Sequence, residues 1–209
     1  MTRQARISII VLAVLHAVGI IGILTPFRPY FVALTPLNLL ITAYLLIRNQ
    51  SEISLRTVWI MLMAYFLGLG VEIAGVSTGV IFGEYKYGIV LGPKIAGAPM
   101  MIGINYLILL FASGELARWM FNWFGWRIIA GAFSMVLLDI LIEPVAISLE
   151  WWSWTCGIPP LTNYVGWFVV SLLMHALYAV SLNDQNNRIG AAVYGILFAF
   201  FLLLNFAFA

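Results

Sequence analysis

Seven apolar runs follow one another along this chain, each long enough to cross the hydrocarbon core of a bilayer as a helix. They are Ile7–Leu24, Phe31–Ile47, Thr57–Ile81, Ile95–Ala112, Ile128–Leu149, Tyr164–Leu182 and Ile189–Phe208. Nothing else in the sequence narrows the choice of fold so much. Of the 209 residues 64% are hydrophobic and 9% charged, where a soluble domain carries about 25% charged residues. There is too little polar surface to coat a water-soluble globule of this size. The expected fold is all-α: a polytopic membrane bundle of about seven transmembrane helices, forming a single domain over residues 1–209. The second run is the weakest, because Pro36, Asn38 and Thr42 interrupt it, although bilayer helices tolerate proline. The opening "MTRQARISIIVLAVLHAVGIIGIL" has a basic start but a long apolar run with no small-residue cleavage site. It reads as a retained first helix. An echo between "TPLN" and "PPLTN" is too short to be a repeat, and no shift in composition marks a second domain.

Basic residues near the helix ends set the orientation. With the N-terminus in the cytoplasm, the inner segments hold Arg3, Arg6, Arg48, Arg56, Arg118, Arg127 and Arg188, and the outer ones hold only Arg28, Lys86 and Lys94. The expectation is N-in, C-out, in the cytoplasmic membrane. The same scatter of charge offers no basic stripe for nucleic acid. One cysteine, Cys156, excludes an intrachain disulfide and any CxxC site. His16 and His175 stand in no metal-ligand pattern, and neither a GxGxxG nor a P-loop is present. The sequence therefore suggests no metal and no cofactor.

Ionisable residues inside the spans need a reason, since a charge at the bilayer centre costs at least about 2.5 kcal/mol. At a rise of 1.5 Å per residue, Glu72 lies roughly 24 Å above Arg56, and Asp139 and Glu143 lie roughly 18 and 24 Å above Arg127. Three carboxyls on two helices thus reach the same outward zone. Asp139 and Glu143 share one helix face by their i,i+4 spacing, and Pro144 frees a carbonyl in the turn before it. Two such acids cannot both ionise cheaply, so one should keep its proton at neutral pH. A proton donor beside an acceptor is what acid–base chemistry needs. The plainer alternative is that these acids only bond neighbouring helices or lie among headgroups.

Outer loops add aromatic side chains to the same zone: Tyr85 and Tyr87 in "FGEYKYG", and Trp151, Trp152, Trp154, Tyr164 and Trp167 in "EWWSWTCGIPPLTNYVGW". Interfacial anchoring accounts for most aromatic residues at such places, while aromatic faces also stabilise a cation. Asn163 and Asn105 could hold a water, with interhelical hydrogen bonding the simpler role for Asn105. His16 could relay protons, or simply pack. Glu115 and Arg118, spaced i,i+3, read as an interfacial ion pair.

Four blocks in order, "VEIAGVSTGVIFGEYKYG", "GAPMMIGINY", "LLDILIEPVA" and "WWSW…GIPPLTNYVGW", resemble the carotenoid biosynthesis family of carotenoid 1′,2′-hydratases. That family includes γ-carotene hydratases and the bisanhydrobacterioruberin hydratases of archaeal pigment pathways. The resemblance covers about residues 65–180, and the chain is shorter at its ends than many such proteins. It implies a polytopic, cofactor-independent enzyme that adds water to the terminal double bond of a polyene. Carried over residue by residue, it marks Glu72 with Gly75, Thr78 and Gly79; Phe82, Gly83, Tyr85 and Tyr87; Asp139 and Pro144 with Glu143 between; and Pro160, Asn163, Gly166 and Trp167.

The residues and the resemblance converge on one expected mechanism. Asp139 protonates C2′ of the alkene, Trp or Tyr faces such as Trp154 and Trp167 shelter the tertiary cation at C1′, and water held by Glu72 and Asn163 attacks. The lipophilic carotenoid would enter from the bilayer. Two rivals stay open: a cyclase that uses the same protonation, and a carrier with no catalysis. A retinal-type photoreceptor is excluded, because no lysine lies in a helix.

Overall fold

A computed structural model describes all 209 residues. In chain order the elements are α1 (Arg3–Ile23), α2 (Arg28–Ala33), α3 (Thr35–Arg48), α4 (Leu55–Thr78), β1 (Tyr85–Tyr87), β2 (Lys94–Ile95), β3 (Ala98–Pro99), α5 (Met100–Met120), α6 (Phe124–Ser148), β4 (Trp152–Trp154), α7 (Leu161–Ser181) and α8 (Gly190–Phe208). Six of the helices, α1, α4, α5, α6, α7 and α8, are long and apolar enough to cross a membrane. The protein is a multi-pass helical bundle.

The second expected span is the exception, because it is broken in two. Pro36 has no N–H for the carbonyl of Val32, and the Thr35 hydroxyl takes up that acceptor at 2.7 Å. The chain therefore steps from the short α2 into the 14-residue α3. At 1.5 Å per residue α3 is roughly 21 Å long, short of the hydrocarbon thickness on its own.

The fourth span also differs from expectation. It starts at Met100, not Ile95, because residues 94–99 turn back on themselves as the hairpin β2–β3. Ala96 and Gly97 supply the two positive φ angles, 46° and 88°, that a tight hairpin turn requires. Helix α5 then runs on to Met120, and near its end the buried Glu115 lies 3.6 Å from Arg118, the expected i,i+3 ion pair. Central in the bundle, α5 packs against α4, α6, α7, α8 and α3. Between membrane helices close packing replaces the hydrophobic drive. Small residues serve it here: a Cβ at Gly103 would meet the Tyr65 carbonyl at 2.8 Å, and one at Gly131 the His175 ring at 2.2 Å.

One end of the bundle gathers the connections α3–α4, α5–α6 and α7–α8. Gln4 bonds Arg48, Arg56 bonds Asp184, and Arg118 and Arg127 both reach Asn183. The opposite end carries both small β-structures. There β1 and β4 pair antiparallel, with Tyr85 opposite Trp154 and Tyr87 opposite Trp152. Side chains alternate across a strand, so these four rings share the buried face while Lys86 and Ser153 face outward.

This ribbon is fixed to α6 by a helix end of unusual chemistry. Glu150 takes a left-handed φ of 58°, so that Trp151 N–H can donate to Ala146 O at 2.9 Å and Glu150 N–H to Ile147 O at 3.1 Å. Glycine normally occupies that position.

Candidate active site

The sequence around Glu72 reads G-x-x-x-E-x-x-G, which puts Gly68, Glu72 and Gly75 on one face of α4. A Cβ on Gly68 would meet the Tyr106 ring at 2.4 Å; one on Gly75 would meet the Phe82 ring at 2.6 Å and the Tyr85 hydroxyl at 3.0 Å. The two glycines let aromatic rings close over the acid from both sides. Three tyrosine hydroxyls donate to the Glu72 carboxylate: Tyr85 at 2.5 Å and Tyr87 at 2.7 Å to Oε2, and Tyr106 at 2.9 Å to Oε1. Burial first, and then the nearby Glu72 charge, push Tyr85 and Tyr87 well above the usual tyrosine range, so both hydroxyls remain donors.

Glu143, one turn beyond Asp139 on α6, is bound by the other strand of the ribbon. The indoles of Trp152 and Trp154 donate to its Oε2 at 3.0 and 2.9 Å. Asn163, at the start of α7, bridges the two acids of α6: its Nδ2 lies 3.2 Å from Asp139 Oδ2 and 3.2 Å from Glu143 Oε1. Asp139 receives no other side-chain hydrogen bond. All three carboxyls are 2% exposed, and no Lys or Arg pairs with any of them. Three acids out of water without a cation is an expensive arrangement, held by six neutral donor side chains.

All of these groups except Tyr106 line a cavity of about 20 Å³, room for about one water. Its aromatic wall includes Phe82 and Trp167, and Trp167 stacks on Tyr106 with centroids 4.6 Å apart. A second cavity of about 210 Å³ lies alongside, with 18 hydrophobic residues among its 24. The two share Ile102, Asn105, Leu109, Ile142 and Trp152 as a common wall. The larger one reaches the surface between α1 and α3, where Val18, Leu34 and Leu37 are 47%, 50% and 53% exposed. In a bilayer that mouth faces lipid.

The family model described as "Carotenoid biosynthesis protein" matches residues 28–209. The chain belongs to that family. It is also similar to a bisanhydrobacterioruberin hydratase of Haloarcula japonica, 27% identical over 161 aligned positions that take in 68% of this chain and 51% of the relative. The chain thus spans about half the length of that curated relative. No solved structure matches it.

Most of the expected site residues meet in one place. Glu72, Asp139, Glu143, Asn163, Tyr85, Tyr87, Trp154, Trp167 and Asn105 all line the small cavity. Thr78 does not. It is exposed at the end of α4, its hydroxyl donating to Ala74 O and accepting from Val80 N–H, so it shapes the exit from the helix. Tyr106 was missed by the sequence reading. A buried tyrosine in a central span must find a partner for its hydroxyl, and that was the available signal. His175 sits apart from the carboxyls, between Ser113 at 2.9 Å and Ser171.

Proposed function

We propose that the protein hydrates the terminal 1′,2′ double bond of an acyclic or monocyclic carotenoid by acid–base catalysis. The observation that carries this reading is the adjacency of the two cavities: a water-sized pocket of cation-free carboxyls shares five wall residues with a larger, mostly apolar cavity. Family membership supports a carotenoid as substrate, and the similarity to a protein named as a hydratase supports water as the second reactant.

Asp139 is the proton donor in this scheme, because a single long hydrogen bond does least to hold it as an anion. It delivers its proton to C2′ and leaves a tertiary cation at C1′. The Tyr and Trp faces around the pocket and the neighbouring Glu72 carboxylate stabilise that charge. Asn163 has its amide N–H groups committed to Asp139 and Glu143, which leaves its oxygen, with Glu72, to accept from the attacking water. The water oxygen bonds to C1′, and its surplus proton returns to the carboxylate trio, where Asn163 keeps Asp139 and Glu143 in contact. No step calls for a cofactor. The enzyme would lie in the cytoplasmic membrane, with the site toward the outer leaflet.

Expression in a bacterium that accumulates lycopene or γ-carotene tests the reading. Mass spectrometry is expected to find product heavier by one water, absent in Asp139→Asn and Glu72→Gln. An isomer of unchanged mass would instead make the protein a cyclase, and unmodified pigment with good membrane expression would make it a carrier.

A further inference from the structure

The mechanism uses only the end of the apolar cavity nearest the carboxyls. On the opposite wall, α1 and α3 place two polar side chains, His16 and Asn38, among otherwise hydrophobic residues. Their hydrogen bonds can be assigned atom by atom. His16 Nδ1 lies 2.8 Å from Leu12 O, and a carbonyl only accepts, so Nδ1 carries the proton. No carboxylate faces His16, and an imidazolium in an apolar cavity is costly, so the ring is neutral and Nε2 is an acceptor. Asn38 therefore turns its amide nitrogen to Nε2, at 3.4 Å. This leaves Asn38 Oδ1 buried and with no partner.

The same cavity contains a second orphan of opposite character. Trp151 lines it, and its indole Nε1–H is also buried without a partner. Buried polar groups left unpaired cost free energy, and each such group in a folded protein calls for an explanation. Here an acceptor and a donor wait along one apolar channel.

We propose that Asn38 and Trp151 form a polar subsite for an oxygen-bearing isoprenoid, with Asn38 Oδ1 accepting from a hydroxyl and Trp151 Nε1 donating to an oxygen. A substrate that already carries a hydroxyl group would satisfy both orphans, and a pure hydrocarbon neither. The subsite sets which polyenes are admitted, separately from the carboxyls that act on them. The inference deepens the proposed reading and borrows from it only the isoprenoid nature of the ligand.

Three probes separate the contributions: geranylgeraniol, its methyl ether, and the parent hydrocarbon. The ether keeps the accepting oxygen and loses the donor. Equilibrium binding of each radiolabelled probe would be measured on the full-length protein in lipid nanodiscs, with empty discs subtracted. The alcohol is expected to bind roughly tenfold tighter than the ether, and the ether several-fold tighter than the hydrocarbon, the scale of one buried hydrogen bond each. Asn38→Leu should bring the alcohol down to the ether, and Trp151→Phe should bring the ether down to the hydrocarbon. Hydrocarbon binding, unchanged in both, verifies that the variants fold. Asp139→Asn should keep all three affinities. If neither the hydrocarbon pigments nor a hydroxylated carotenoid gained water in cells yet these preferences held, the hydration reading would fall and the subsite stand. Equal binding of the three probes to the wild type, or an alcohol–ether gap that survives Asn38→Leu, would overturn the proposal.

Discussion

Two buried acidic regions sit at opposite ends of α5, and they are built on different principles. At the basic end Glu115 accepts from the Tyr178 hydroxyl at 2.7 Å and lies 3.6 Å from the Arg118 guanidinium. At the other end Glu72, Asp139 and Glu143 share one pocket with tyrosines, tryptophans and an asparagine, and have no cation. The first arrangement answers every charge and borders only a tight gap of about 10 Å³. The second leaves its acids without a counter-ion beside a larger apolar cavity. A counter-ion would have made those three acids cheaper to bury, and it would also have made them poor partners for a moving proton. The contrast separates an acid paired across helices from acids held only by neutral donors.

The sharpest test of the contrast exchanges the two ends. Asp139→Asn is expected to lower turnover by roughly a hundredfold to ten-thousandfold, the span of general acid–base contributions, with little change in thermal unfolding in detergent. Glu115→Gln should do the reverse: turnover near wild type, and stability lower by about 1 to 2 kcal/mol. A Glu115 variant that lost turnover without losing stability would break the comparison. Within the pocket, Tyr87→Phe removes one of three donors to Glu72 and should slow turnover by roughly tenfold, about the worth of a hydrogen bond to a charged group. Product formation at saturating pigment would measure it. Gly75→Ala forces a methyl group into the Phe82 ring, and a loss of about 1 to 3 kcal/mol in unfolding is the outcome to check. The smallest effect belongs to the basic end. Hydrogen bonding to Arg56, 2.8 Å away, holds the fully exposed Asp184 below the usual carboxylate range. Its lowered value contributes stability that is present above the ordinary aspartate range and is lost as pH falls through the folded value. Arg56→Ala should therefore lower stability slightly at neutral pH and leave it unchanged in strong acid, so that the acid side of the stability–pH curve flattens, as unfolding scans from neutral to acid pH would record.

How much of this could be read in advance depended on what each feature needs. Spans announce themselves by apolar length, and the depth of Glu72, Asp139 and Glu143 followed from counting residues along α4 and α6. Breaks were less visible. Pro36 flagged a weak span, but the step between α2 and α3 also needed Thr35 to take up the Val32 carbonyl. The ribbon was hidden for a different reason. Strands of three residues carry almost no periodic signal, and "YKY" and "WSW" lie more than sixty residues apart, so their pairing is a fact of tertiary structure. With it went the assignment of Tyr85 and Tyr87 to Glu72, and of Trp152 and Trp154 to Glu143. Asn163 was singled out as a water holder. Its bridge between Asp139 and Glu143 depends on how α7 packs against α6, which no single segment encodes.

The mouth between Val18, Leu34 and Leu37 changes what concentration means for this protein. A ligand that arrives sideways through α1 and α3 is diluted in lipid, not in water, and its supply is set by how many such molecules share the leaflet. Affinity and turnover are therefore to be expressed per mole of lipid. Doubling the bilayer at constant pigment should halve the rate below saturation, although nothing in the aqueous phase has changed. In the proposed reaction the water, by contrast, would come from the other phase at a constant activity. In these terms the bundle is a seam between two solvents, and its kinetics answer to the composition of one of them.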